Sequence, residues 1–553
     1  MIRISEIALP LDVQGDAVMP YLRKQAAKRL KIPENQIRQL SLVKRSVDAR
    51  KKQNVLFRCT VDVTVEREQA VFAKARDNKM TIAAPYQYEI PSCGKLEQRP
   101  VVVGFGPAGM FAALLLAQAG QCPIVVERGG SVEERQRQVD DFWQTGVLDP
   151  QCNVQFGEGG AGTFSDGKLN TGTKDRRARK VLEELHAAGA PAEILYQAHP
   201  HVGTDHLPQT VRTIRETIRK LGGTVLFRTR LTGIQRKNGR VTGAVVAGPD
   251  GEQVLETNHL ILAIGHSARD TYEMLEGMGL AMEQKPFSVG ARIEHPQQLI
   301  DKAQYGPAAG HPSLGAAEYK LAVHLPNGRG VYTFCMCPGG QVVAAASEEG
   351  MVVTNGMSNF ARDGENANAA LLVGIGPDDF GSDSPLAGMH IQRMLEQAAF
   401  RFGGGAYQAP AQRVEDFLKK QKTACFGGVS PTYQRGVLPV DLNDMLPAFL
   451  AESMAEGIRR MDEKLPGFAY PDAVLTAVET RSSAPVRLLR GPQMESVSLR
   501  GLYPCGEGAG YAGGIVSAAV DGLKCAERIL SDAPENAAIL ECKIDFLGNM
   551  SEK

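Results

Sequence analysis

Three glycines and one acid carry the most specific chemistry in this chain. Residues 101–128 read VVVGFGPAGMFAALLLAQAGQCPIVVER: an apolar strand, glycines at 104, 106 and 109, an apolar helix, a second strand and Glu127. Gly104 permits the tight turn out of the strand, Gly106 lets backbone amides approach a pyrophosphate, and Gly109 lets helix and strand pack closely. The helix N-terminus offers unpaired amides and the positive end of its dipole to the phosphates. Glu127, about 20 residues on, can accept both hydroxyls of an adenosine ribose and disfavours a 2′-phosphate. The same spacing recurs at Gly157, Gly159, Gly162 and at Gly508, Gly510, Gly513. Only the first follows a β-branched strand, opens a long apolar helix and is answered by an acid. No charge lies between Val101 and Val126, but four glycines and two prolines interrupt the stretch. A spanning helix needs about 20 apolar residues in one helical run, so no transmembrane segment is read.

Two further runs could do chemistry. QFGEGGAGTFSDGKLNTG, from Gln155 to Gly172, has too little side chain to form a core and many backbone amides. It lies against a flat or anionic ligand, or it is an ordinary flexible loop. Cys335 and Cys337, in TFCMCPGG, are the only close pair among ten cysteines. On an extended run their side chains share one face, as a redox dithiol, as half of a metal site, or as small buried strand residues. No second pair with zinc-like spacing completes them, and no metal is expected.

These groups need elements to position them. At 553 residues two or three cores are expected. Residues 1–95 form a small N-terminal α+β module, with strands at Ile2–Leu9, 36–47 and 55–65 and a helix over 16–30 that turns Val18, Tyr21, Leu22 and Leu30 toward one face. Pro91, Cys93, Gly94 and KLEQR link it to the α/β pattern that follows. Residues 96–286 form the first part of a nucleotide-binding domain, with an amphipathic stretch at 129–150, a helix over 211–221, a hairpin at Asn238-Gly239 and a buried strand, Leu260 to Ile264, that ends at Gly265. Another helix follows Ser267. Residues 287–475 read as an inserted α+β domain with a long helix over 385–402. Residues 476–553 return to the first pattern, with a strand over 502–505, a glycine-rich turn carrying Glu507 and a helix from about Gly514. The fold class is α/β, a Rossmann-like nucleotide domain with an inserted domain and an N-terminal module.

Net charge is zero, which disfavours a protein built to hold nucleic acid or an anionic membrane. The N-terminal segment is locally basic, with Arg23, Lys24, Lys28, Arg29, Lys31, Lys44, Arg45, Arg50, Lys51 and Lys52; a solvated face is the simplest reading. The opening residues lack a secretory profile, so cytoplasmic residence with reduced thiols is the expectation.

The motifs VVVGFGPAG, NVQFGEGGAGTFSDGKL, LAIGHSARDT, ETRSSAPVR and YPCGEGAGYAGGI together resemble FAD-containing oxidoreductases with a glutathione-reductase-type nucleotide fold. Among these the chain is similar to the bacterial uncharacterised FAD-dependent dehydrogenases, over nearly its whole length. The resemblance implies that Gly104, Gly106, Pro107, Ala108 and Gly109 hold the FAD pyrophosphate, with Glu127 on the ribose and Arg128 beside the adenine. Backbone near Leu231, Ala263 and Gly265 would flank the adenine half. Gly506 and Glu507 would meet the pyrophosphate or ribityl chain, where the family usually has Asp in place of Glu507. Amides near Gly514 and Ile515 would face the flavin pyrimidine, and the loop carrying Gly159, Gly160, Gly162, Thr163 and Lys168 would lie by the isoalloxazine ring.

The resulting expectation is an FAD-dependent oxidoreductase passing a hydride between flavin and a small organic substrate. If NAD(P)H reduces this flavin, it binds transiently at the open face, because neither later glycine motif sits in a second nucleotide domain. The alternatives are a flavin-containing protein that binds or modifies RNA through the basic module, and a flavoprotein scaffold without turnover. The first lacks an aromatic RNA-binding signature. No acid/base constellation identifies catalytic residues. His266, Glu479 and Arg481 lie near the cofactor by chain position, and Arg481 and Arg487 would either clamp a substrate carboxylate or form ordinary ion pairs.

Overall fold

Strands that are short and apolar on both faces belong in the middle of an α/β sheet, where helices cover each side. The computed structural model, which describes residues 1–170 and 172–533, places five of them in that way. The strands Leu502–Pro504, Leu260–Leu262, Val101–Val103, Ile124–Val126 and Thr224–Leu226 lie side by side in that order, all parallel. Thr171 in the glycine-rich loop and residues 534–553, the end of the expected closing segment, lie outside the described residues.

Helices Pro107–Gln118 and Ile515–Leu530 pack on this sheet and on each other. Gly522 permits the approach, since a Cβ there would lie 2.0 Å from the Ala108 carbonyl oxygen. The strands Arg230–Lys237 and Arg240–Gly248 form the expected hairpin, and Gly251–Glu256 adds a third antiparallel strand. The helix expected from residue 211 spans Leu207–Lys220, because Pro208 is tolerated in a first turn. A helix at Arg177–Ala187 went unread.

The second large sheet has seven strands, in the order Ala322–His324, Gly330–Cys337, Asn366–Ile375, Phe287–Pro296, Val474–Glu479, Ala409–Arg413 and Val437–Pro439. Its two longest strands pair antiparallel from Phe287↔Ile375 to Pro296↔Asn366 and are buried along almost their whole length. Helices Ala387–Phe402 and Ala448–Lys464 close its core.

A buried ionic group joins the two sheets. Glu396 accepts Arg269 Nη2 at 2.7 Å and Arg481 Nη2 at 2.9 Å, and Thr480 Oγ1 at 2.6 Å. The two guanidiniums hold its carboxyl well below the usual range, against the burial that would raise it. Pairing of this kind is what makes buried charge tolerable.

The N-terminal module is a β-α-β-β-α-β unit. Strands Ile37–Asp48, Leu56–Val65, Ile2–Pro10 and Met80–Ile82 form an antiparallel sheet in that order. Helix Val18–Leu30 packs Leu22 and Leu30 into its core, with Val18 and Tyr21 at the margin. The helix Glu68–Ala75 and the strand Met80–Ile82 are too short for periodicity to reveal. Several of the basic residues are committed locally. Arg23 donates to the Glu34 and Ile37 carbonyls, Arg29 to Asp77, and Arg50 to Asp48. Arg45 joins the module to the nucleotide half by backbone bonds to Tyr196 and Ala198. No helix among the described residues is long and apolar enough to cross a membrane.

Candidate functional site

One cavity of about 950 Å³ runs along the carboxyl ends of the parallel strands and out beneath the second sheet. This is where open α/β sheets bind ligands. Gly104, Gly106, Pro107 and Ala108 line it, as do Glu127, Arg128, Leu231, Ala263 and Gly265. Gly104 has φ +94°, and a Cβ there would lie 2.2 Å from the Ala263 carbonyl oxygen. Gly109 does not reach the cavity; a Cβ on it would strike the Gly104 carbonyl oxygen at 1.9 Å, so its absence lets the helix sit on the strand. Gly106 has φ −77° and ψ −175° and faces Gly160 across the cavity wall.

Two of the helices whose N-termini border the cavity are capped by glycine. Gly106 caps Pro107–Gln118 and Gly514 caps Ile515–Leu530, each without a side-chain hydrogen bond. Open amides at a helix N-terminus are a ready anion site. Gly514 and Ile515 line the cavity, and a Cβ on Gly514 or Gly265 would meet nothing within 4 Å. Gly506 lies behind this surface. Its amide donates to Asp521 Oδ2 at 2.7 Å, Asp521 is held by Arg490, and a Cβ would crowd Ala108. Asp521 also lies with Cys505 and Cys525, whose donor atoms are close enough for a metal, but Arg490 already supplies that cation.

Glu127 accepts the amides of Phe105, Gly129 and Gly157 at 2.8–3.0 Å. Those bonds fix its carboxylate at the strand end with little lone-pair capacity spare for a ribose. Arg128 pairs with Asp270 at 2.6 Å and lies over the Phe156 ring, 4.4 Å from its centroid.

The glycine-rich loop is pinned by a residue outside it. Arg135, fully buried on helix Val132–Thr145, donates to the backbone carbonyls of Asn153, Val154, Gly157, Glu158 and Gly160. Among the described residues no carboxylate bonds to it, and burial lowers its pKa to about 10. Gly160, Gly162 and Lys168 then line the cavity. Gly159 and Thr163 do not; they pack against each other beneath it. Lys168 faces the cavity with Nζ on Asp166 Oδ2 at 2.5 Å and on the Met336 carbonyl oxygen. Asp166 is bound in turn by Arg362, which also reaches Glu318 at 2.6 Å.

Glu507 is the unpaired acid of the site. It lines the cavity, and no hydrogen bond from the described residues satisfies its carboxyl. Burial pushes its pKa up to about 7, against the opposing charge of Lys285. A carboxyl raised in the fold favours folding most below its unfolded pKa of about 4.5 and loses that advantage as pH rises toward 7. In the cofactor-free protein Glu507→Gln is therefore expected to gain stability over wild type between pH 4.5 and pH 8. The gain is on the order of 1–2 kcal/mol, discounted for water in the cavity. Urea midpoints at the two pH values check it; an equal difference at both would remove the raised acid.

The other chain-position candidates divide. His266 lines the cavity, but burial and then Arg481 and Arg269 hold its pKa down to about 3, so it is neutral at pH 7. Glu479 lines the cavity and takes a bidentate Arg292, at 2.5 and 3.0 Å. Arg481 reaches the wall, but its guanidinium is spent on Glu396 and Ser347. Arg487 pairs with Glu283 away from the cavity. Of the two readings for these arginines, the structure takes the ion pairs.

A protein of Clostridium beijerinckii described as uncharacterized is 49% identical over 532 residues, which cover 96% of this chain and 98% of that one. The chain belongs to that protein's family. Within it, residues 286–482 match the family described as FAD-dependent protein, C-terminal domain-like, and residues 1–64 match a domain of unknown function. Among solved structures, the chain is similar to a flavin-dependent brominase triple mutant at 12% identity and TM-score 0.37, over 78% of this chain and 81% of that one. A geranylgeranyl bacteriochlorophyll reductase-like protein from Thermoplasma acidophilum gives 14% and 0.33, over 82% and 84%. Likenesses this loose say nothing of the reaction.

In this member of the family the matched C-terminal region supplies a wall that sequence reasoning missed. Glu318, Tyr319, Thr333, Phe334, Met336 and Asn355 all line the cavity. They come from three stretches of chain with no shared motif, so only the second sheet's pairing brings them together. Cys335 and Glu479 carried a signal, in TFCMCPGG and VETRSS.

Proposed function

We propose that the protein is an FAD-dependent oxidoreductase that passes a hydride between flavin and a small organic substrate. The observation that supports this most is one cavity bordered by two uncapped helix N-termini, with Glu127 near the first and the unpaired Glu507 near the second. Two such ends suit an elongated dinucleotide better than a single phosphate. In this reading the glycines 104 and 106 and the amide of Ala108 hold the pyrophosphate, and Arg128, Leu231 and Ala263 border the adenosine. Glu507 donates to or accepts from a hydroxyl of the linking chain. Gly514 and Ile515, with the loop from Gly160 to Lys168, border the ring. The order of motifs along the chain supports a glutathione-reductase-type nucleotide half.

FAD, when bound, would supply the redox chemistry itself. The chain's own share is orientation, charge and exclusion of water. The open amides of Ile515–Leu530 stabilise negative charge at their end of the cavity. Arg135 keeps the loop shut over it, and the second sheet roofs the space in which a substrate would lie.

Purified protein is expected to be yellow and to release FAD rather than FMN on denaturation, read by chromatography of the released flavin. A well-folded colourless protein that takes up no added FAD would overturn the proposal.

A further inference from the structure

Cys335 and Cys337 stand on the roof of the cavity, opposite the nucleotide fold. The expected regular run, with both thiols on one face, is corrected by the structure. The strand Gly330–Cys337 shifts register against Asn366–Ile375 between Phe334 and Cys337, and Cys335 takes φ +42°. A left-handed φ at a non-glycine residue is costly and is kept only where the surroundings enforce it. Here two cations do so, the fully buried Arg292 and the half-buried Lys168. Arg292 Nη1 binds the Cys335 carbonyl oxygen at 2.8 Å, and Lys168 Nζ binds the Met336 carbonyl oxygen. The bulge turns Cys335 into the cavity wall and leaves Cys337 fully buried behind it.

Cys337 Sγ donates to the Cys335 carbonyl oxygen at 3.3 Å, which keeps the two side chains together, and the environment separates their acidities. Cys337, then Arg292 and Lys168, hold the Cys335 thiol below the usual thiol range against the burial that would raise it, while Cys337 is pushed up. At Cys59 and Cys152 burial prevails instead, raising Cys59 to about 11 and Cys152 as well. An ordinary buried strand cysteine has no use for a bulge, a left-handed residue and two cations. A thiolate nucleophile with a protonated partner beside it does.

We infer that Cys335 and Cys337 form a redox dithiol that exchanges two electrons with the flavin, so that the protein acts on a thiol or disulfide compound. The inference rests on the FAD reading above. In the oxidising direction the Cys335–Cys337 sulfur–sulfur bond forms as the two thiols lose two electrons and two protons. The electrons and one proton go to the flavin ring, and the other proton to solvent. In the reducing direction Cys335 attacks a substrate disulfide and expels one thiol. Cys337 then attacks the mixed disulfide at Cys335, expels the second thiol and leaves the Cys335–Cys337 disulfide for the flavin to reduce.

The test uses the purified yellow protein, first equilibrated with oxidised dithiothreitol and freed of it, then titrated anaerobically with dithionite. Wild type is expected to take up about four electrons per flavin, twice what flavin alone accepts, and Cys335→Ser about two. Independently, mapping of the oxidised protein under non-reducing conditions should give a peptide holding Cys335 and Cys337 that is lighter by two hydrogens and resists alkylation. Wild type that takes up about two electrons and whose two cysteines both alkylate after oxidation would overturn the dithiol while leaving FAD intact. A colourless protein would overturn both. The mapping uses wild type, so the result stands even if a cysteine variant fails to fold.

Discussion

Gly106→Val is expected to give a folded, colourless protein. Gly106 lies at φ −77° and ψ −175°, extended backbone that valine adopts freely. A Cβ there would come no nearer than 3.5 Å to Gly160 Cα, an ordinary contact, so the fold loses little. The methyl groups would instead occupy the gap between the two glycines, which in the proposed FAD site is the way for phosphate oxygens to the open amides of Pro107–Gln118. FAD affinity should fall at least ~100-fold, about 2.7 kcal/mol, while the urea midpoint of the cofactor-free protein stays near wild type. Gly104→Ala makes the contrast. Its φ of +94° and the Ala263 oxygen 2.2 Å away mean that it should damage the sheet itself. Flavin content after purification, with circular dichroism for the fold, separates the two variants; a Gly106→Val protein that holds FAD as wild type does would put the pyrophosphate elsewhere.

Arg135→Met should cost about 3–5 kcal/mol and open the loop. Methionine replaces the stem but none of the donors, and it leaves five buried carbonyls of residues 153–160 without their guanidinium. Each unsatisfied buried acceptor costs roughly 1–3 kcal/mol, though some regain water when the loop moves. The expected readouts are a lowered urea midpoint and an FAD affinity weakened by tenfold or more, since Gly160 and Gly162 lose their fixed place. Arg135→Lys should recover only part of either, because an ammonium has three donors and no planar fork. If Arg135→Met matches wild type in both measurements, the loop holds itself and Arg135 is not its latch.

The nucleotide half was legible because its physics is local. A tight turn, a close helix–strand approach and an acid at the strand end all fall within residues 101–128, and each needs a particular residue type where it stands. The hairpin at Asn238-Gly239 and the helix Ala387–Phe402 were legible for the same reason. The loop at 155–172 was not. Glycines alone allow a flexible loop or a rigid surface, and the choice was made by Arg135, a residue that reads as one more charge on a polar helix. Gly159, Thr163 and Gly506 were read as touching a ligand, and the structure sets all three behind the wall, where they allow close packing or hold a turn; Gly109 packs helix on strand, as its spacing implies.

What the sequence determined by itself is a βαβ nucleotide unit, a second strand-turn-helix late in the chain and a CxC pair, since each is set by near neighbours. Tertiary structure alone decided that these three meet. Strand order brings residues 101–103, 260–262 and 502–504 side by side, and the antiparallel pairing of the second sheet carries Cys335 over the cavity that they form. The acidity of Glu507 was likewise set by burial against the distant Lys285, and that of Cys335 by Cys337 beside it and by Arg292 and Lys168 from other elements. Hydrophobic period shows which face of an element is buried, but the partner that covers it is chosen by packing between distant segments, which no local spacing encodes.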